Sequence, residues 1–261
     1  MFFETRWPVI IFSRIIALGE KIDVFPVLKM PDNPTAYIDV RDEGTDSVFL
    51  MPDTECDVFA HSAREDIMRL TDAPIAYAAA LFVLLVRGVP ESEITVRTPS
   101  GVYVIKRVGN DGKYGILMPK CKILYTKTAI FADKTDLNAR SVSLDGMLCN
   151  LLKCADAEMM SSALLRRILL SLDGERCVAS VAVSENEEGL TAKAEMLNEK
   201  DPSRHLFAAA VAASFARRRN DISVKLFENE FAFIGNDDNL YAVERNPVVF
   251  TFHAPDLDTR Y

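Results

Sequence analysis

The chain has 261 residues, of which 49% are hydrophobic and 26% charged, with a formal net charge of −8. That length and balance suffice for one large or two small domains with a substantial core, and they exclude a disordered or collagen-like chain. An acidic surface repels phosphate backbones, so nucleic acid is not an expected partner. The five cysteines, Cys56, Cys121, Cys149, Cys154 and Cys177, form an odd set without a CxxC pair. This argues against a disulfide framework and a zinc cluster, and for reduced thiols in a cytoplasmic protein. His61, His205 and His253 are too dispersed for a metal motif, and no metal or cofactor is expected.

In chain order, Trp7 to Leu18 reads WPVIIFSRIIAL, an apolar stretch broken by Arg14. It is too short and interrupted to span a bilayer and lacks a small-residue cleavage site. An added packing element is expected, with an oligomer contact or a membrane-surface helix as the alternative. Ala36 to Val40 and Val48 to Leu50 have strand character. His61 follows a strand-like run and reads as a surface histidine. Glu65 and Asp66 read as a solvated turn.

A long segment then occurs twice. Thr71 to Pro119 and Asp201 to Pro247 run in parallel. Each opens with Asp and Pro close together (Asp72 and Pro74, Asp201 and Pro202), as an N-cap and a first helical turn allow. Each continues with an aromatic and three alanines, Tyr77 to Ala80 and Phe207 to Ala210, and an apolar helix is predicted. Tyr77 and Phe207 read as core residues. Ile94-Thr95-Val96 matches Ile222-Ser223-Val224, and Val102 to Ile105 matches Glu230 to Phe233. Ile94 and Ile222 stand 128 residues apart, as do Tyr103 and Phe231. Polar turns at 110–112 and 236–239 lead to Tyr114-Gly115-Ile116 and Tyr241-Ala242-Val243. A register kept through helix, hairpin and final strand marks an internal repeat. Between the copies, Asp156 to Leu172 carries apolar residues at helical spacing. The basic run at 217–219 falls where the second helix ends and complements its dipole.

With this repeat, AAAVAASF, ISVKL, EFAFI, NLYAV and NPVVF in the second half follow the order of elements of the diaminopimelate epimerase-like superfamily. Leu28 to Val40, LKMPDNPTAYIDV, resembles the opening segment of that group. The group includes diaminopimelate epimerase, proline racemase and the phenazine-biosynthesis isomerases, and the likeness runs from about Lys29 to Phe252. The resemblance implies an α+β fold of two pseudo-symmetric halves, each a mixed barrel-like sheet around a central helix. The two helix N-termini would build a small-ligand cleft. The expected division is an N-terminal extension at 1–23, a first half at 24–120 and a second half at 121–261, the C-terminal tail packing back on the first.

In the racemases each helix N-terminus carries a cysteine, one removing a substrate α-proton and the other returning it. A helix N-terminus lowers a thiol pKa and holds a carboxylate on free N–H groups. Here the aligned segments read Thr71-Asp72-Ala73-Pro74 and Pro202-Ser203-Arg204-His205. Neither cysteine is present. Asp145 to Leu148 and Lys193 to Lys200 also depart from the group's substrate-handling segments. Glu199-Lys200-Asp201-Pro202 resembles the phenazine type's Glu-Asp-Pro, with one residue inserted, but no counterpart of its general-base glutamate is found.

Position nominates Asp72, His205 and Thr71 for proton transfer, and Ser203, Arg204, Asp72 and Asp201 for holding a small amino or carboxylic acid. Against this, Asp72 and Asp201 are ordinary N-cap residues, and Arg204 and His205 could simply face solvent. Two functions follow. One is a cysteine-independent isomerase or epimerase. The other is a non-catalytic ligand-binding or scaffold descendant, in which Arg204 and His205 make structural contacts. An open sheet edge or the segment from Trp7 to Leu18 could support a homodimer.

Overall fold

The computed structural model describes residues 10–34, 45–64, 71–88, 91–130, 136–144, 147–173, 177–187, 189–196, 204–215, 221–236 and 238–254. The expected strand at 36–40, Glu65, Asp66 and the basic run at 217–219 lie outside them. The chain divides into two compact units: Met1–Leu117 with Glu244–Tyr261, and Met118–Val243.

The first unit holds β1 (Ile10–Ala17), β2 (Glu20–Pro26), β3 (Thr45–Pro52), β4 (Val58–Ser62), α1 (Ala73–Leu81), β5 (Glu93–Thr98), β6 (Gly101–Val108), β7 (Lys113–Leu117) and β16 (Val249–Ala254). Its strands lie in the order β16-β1-β2-β3-β4-β5-β6-β7. The apolar segment expected as an added packing element is β1, paired on one side with β2 and on the other with β16. Its Ser13, Ile15 and Ala17 are buried while Phe12, Arg14 and Ile16 are half-buried, the two-residue period of a strand rather than a helix. Residues 10–23, placed by the sequence in an extension, therefore supply β1 and the start of β2.

Every residue of α1 is buried, and the helix packs against strands from β1 to β7. A helix apolar on all sides must be enclosed, and here the sheet wraps it. Ala76, Ala78, Ala79 and Ala80 let the strands approach closely. The helix runs on as one π-turn at Phe82–Val86, with the Arg87 N–H reaching the Phe82 carbonyl at 3.1 Å. Gly88, at φ +66°, ends it in the left-handed conformation that glycine takes most cheaply.

The second unit holds β8 (Cys121–Ile130), β9 (Asp136–Leu144), β10 (Met147–Lys153), α2 (Ser162–Asp173), β11 (Cys177–Glu185), β12 (Leu190–Met196), α3 (Arg204–Phe215), β13 (Asp221–Leu226), β14 (Asn229–Asn236) and β15 (Asn239–Val243). Its strands run β8-β9-β10-β11-β12-β13-β14-β15. α3 is buried over Leu206–Ala212 and at Phe215, and packs against β8, β9 and β11 to β15. α2 begins at Ser162, later than its periodicity suggests. Asp156 Oδ1 accepts the N–H groups of Glu158 and Met159, a local turn that competes with the helix until Ser161.

Pairing senses in the two units match strand for strand. β2–β3 and β4–β5 are parallel, as are β10–β11 and β12–β13, and every other neighbouring pair within a unit is antiparallel. The two hairpins pair in the same register. Tyr103 pairs with Val96 across β5 and β6, and Phe231 pairs with Val224 across β13 and β14. The mixed α+β architecture expected from the resemblance is the one observed.

Candidate functional site

The start of α1 is built by the β5–β6 hairpin. Thr98 and Gly101 pair across its two-residue turn, Pro99-Ser100, which places Ser100 and Tyr103 against Thr71 and Asp72. Thr71 Oγ1 accepts the Ala73 N–H at 3.2 Å, and Pro74 has no N–H to offer. The Asp72 N–H donates to the Tyr103 hydroxyl at 3.1 Å. Asp72 occupies the N-cap position, but its side chain makes no capping hydrogen bond. With Thr71 serving Ala73, the Asp72 carboxylate turns to the hairpin instead. Its Oδ2 accepts from Ser100 Oγ at 2.7 Å and from the Ser100 N–H at 3.2 Å.

The hydroxyls connect these groups in a line. Thr71 Oγ1 lies 3.0 Å from Tyr103 OH, which lies 3.1 Å from Ser100 Oγ. Each hydroxyl has one proton. Ser100 gives its proton to Asp72, so the Ser100–Tyr103 bond takes the Tyr103 proton, and the Thr71 proton goes to Tyr103. The line runs from a buried hydroxyl, Thr71, through half-buried Tyr103 to exposed Ser100 and half-buried Asp72. A proton taken up at Thr71 Oγ1 would shift the three hydroxyl protons along the line and protonate the Asp72 carboxylate, leaving all three hydroxyls neutral.

In the second unit the nominated residues behave differently. Arg204 opens α3 and stacks its guanidinium over the Phe227 ring, 4.8 Å from the centroid. Phe227 sits in the β13–β14 turn at φ +56°. His205 is 1% exposed, a core position rather than a solvent-facing one, and Phe207, also on α3, is fully buried. Asp201, Pro202 and Ser203 lie outside the described residues. His61, on β4, is half-buried, with Nδ1 2.7 Å from the Ser62 carbonyl.

Two thiols are displaced from useful chemistry. Burial pushes the Cys121 thiol up, against a hydrogen bond with Ser214, and burial likewise raises Cys154. Both are held away from the thiolate a nucleophile needs. Among the described residues no group of three or more His, Cys, Asp or Glu side chains is placed to hold a metal ion, and no helix is long and apolar enough to cross a membrane.

A second polar feature of the first unit is centred on Tyr77 of α1. The Tyr77 hydroxyl donates to the Tyr114 carbonyl at 2.7 Å and accepts the Glu244 N–H at 3.0 Å. The Glu244 carboxyl accepts the Leu18 N–H at 2.6 Å, in the β1–β2 turn where Leu18 takes φ +52°. Burial pushes that carboxyl up to about 7, only partly opposed by the Leu18 bond. Burial also raises the Tyr77 phenol.

Ser100, Tyr103 and Glu244 were not nominated from the sequence. A polar Pro-Ser-Gly turn one helix and one strand after Asp72 was the available signal for the first two. Glu244 carried none, because its burial follows from the return of the chain to the first unit.

No protein-family profile matches the chain, and no curated protein matches it. Among solved structures, a phenazine biosynthesis PhzC/PhzF protein from Clostridium difficile is similar over 94% of this chain and 98% of its own, with a TM-score of 0.61 at 13% identity. A PhzF-family protein from Enterococcus faecalis gives 0.59 at 13% identity, over 95% and 99%. Methylitaconate-delta-isomerase gives 0.51 at 9% identity, over 95% and 94%. The chain thus has the diaminopimelate epimerase-like fold, shared with phenazine-biosynthesis proteins and isomerases.

Proposed function

We propose that this protein is a diaminopimelate epimerase-like isomerase that binds a small carboxylate at the start of α1 and moves a proton without thiols. One observation carries the reading: the hydroxyl line from Thr71 through Tyr103 and Ser100 to the Asp72 carboxylate. A threonine hydroxyl alone is far too weak an acid or base for this work. Connected through two hydroxyls to a carboxylate, it can exchange a proton without leaving an isolated charge. The likeness of fold to methylitaconate-delta-isomerase and the PhzF proteins is in keeping with this, although fold alone does not set an activity.

The reading is tested by incubating the protein in heavy water with a panel of amino, hydroxy and unsaturated carboxylic acids. Deuterium enters the carbon next to the carboxylate of at least one of them. D72N and Y103F each slow that exchange by at least tenfold at unchanged fold, as expected for a lost acid–base group. Exchange that survives both substitutions contradicts the relay.

A second reading is favoured by the second unit. Arg204 stacked on Phe227 and His205 in the core are the structural contacts that a non-catalytic, ligand-binding descendant would keep. Under it, a carboxylate binds the chain but no member of the panel exchanges.

A further inference from the structure

The face of the second unit's sheet that packs against α2 carries a polar row across three strands. Ser141 on β9 pairs with Asn150 on β10, and Asn150 pairs with Ser180 on β11. Side chains paired across neighbouring strands share a face. Two positions along, on that same face, Ala139, Leu152 and Ala182 form an apolar row packed under Leu165 and Ile168 of α2. The polar row is as deeply enclosed: Ser141 is 1% exposed, Asn150 and Ser180 not at all.

Its hydrogen bonding is incomplete. Ser141 Oγ donates to Asn150 Oδ1 at 2.8 Å. Among the described residues, no group reaches Asn150 Nδ2 or Ser180 Oγ. Turning the amide over does not help, because Ser141 then meets the nitrogen and leaves the oxygen unmet. Buried polar groups without partners are costly, so such a row is expected to acquire one. The β10–β11 ladder also breaks beside the row. Leu148 pairs with Cys177 and Cys149 with Ala179, so Val178 is passed over, a bulge that leaves a residue outside the ladder.

The first unit solves the matching problem with charge. Its apolar row is Phe12, Phe25 and Phe49 in ring contact, and its polar row is Arg14, Asp23 and Ser47. There Arg14 Nε and Nη2 reach the two Asp23 oxygens at 2.8 and 2.9 Å. At those places the second unit has Ser141 for Arg14, Asn150 for Asp23 and Ser180 for Ser47, so the charged pair is replaced by neutral groups.

We propose that the Ser141–Asn150–Ser180 row binds one sequestered water molecule, which accepts from Asn150 Nδ2 and bonds Ser180 Oγ, as a fixed part of the sheet beneath α2. Water is the ligand the chemistry selects: the row offers neutral donors and acceptors, no charge and an apolar surround.

Two measurements on the full chain decide it. A crystal structure that shows ordered solvent has a water within hydrogen-bond reach of both Asn150 Nδ2 and Ser180 Oγ. A direct Asn150–Ser180 bond, or a dry row, overturns the proposal. In urea denaturation S180A lowers the midpoint, because the water loses an anchor and Asn150 its relay. If the Ser180 hydroxyl had no partner, its removal would leave the midpoint unchanged or raise it, and either result overturns the proposal.

Discussion

The Glu244 carboxyl makes stability depend on pH in a direction opposite to that of most acidic residues. In an unfolded chain it titrates near its ordinary 4.5, and in the fold burial holds it at about 7. Between those values the folded chain binds the extra proton, so stability falls as pH rises. The stabilisation is complete below the unfolded value and is lost as pH climbs through the folded one. Such a rise corresponds to roughly 3 kcal/mol, an upper figure because Glu244 keeps some solvent contact. E244Q retains an acceptor for the Leu18 N–H but cannot ionise. Urea unfolding of both proteins at about pH 5 and about pH 8 tests the point. Wild type loses up to roughly 3 kcal/mol over that interval through this group, whereas E244Q loses none through it. E244Q is therefore the more stable protein at the higher pH. Parallel stability profiles, with no gain for E244Q above neutrality, would refute the reasoning.

Other substitutions address the same framework. Y77F removes the bridge between the Tyr114 carbonyl and the Glu244 N–H. It should cost about 1–3 kcal/mol in urea unfolding, because two backbone groups lose their partner. G189A sets a Cβ 2.8 Å from the Ser223 carbonyl oxygen at φ +154°, and should lower the thermal midpoint of unfolding. An unchanged midpoint would mean that the contact between β13 and the start of β12 is looser than described.

The parts of this fold that were legible in sequence were those with a short period or a fixed spacing. The alanine run of each helix and the hairpin of each unit are local signals, and the spacing from Tyr103 to Phe231 carries across because the β5–β6 and β13–β14 hairpins keep the same pairs. β1 illustrates the opposite case. Apolar residues on both faces of β1 hid its alternation, so a strand inside the sheet resembled an appendage. The candidate site was half visible. Thr71 and Asp72 follow from their place at a helix start. Their chemistry does not, since Asp72 would ordinarily cap the helix and here serves Ser100, 28 residues on. His205 and Arg204 show why position alone misleads. Polar residue types at a helix N-terminus suggest solvent, but the turn after β13 supplies a ring for Arg204, and the sheet around α3 encloses His205.

The most direct test of thiol-free proton transfer is solvent-deuterium exchange by a folded variant in which all five cysteines are replaced by alanine or serine. The account predicts exchange into a small carboxylic acid that persists in that variant and falls at least tenfold in Y103F. Exchange that vanishes with the thiols, or none from any acid that binds, would contradict it.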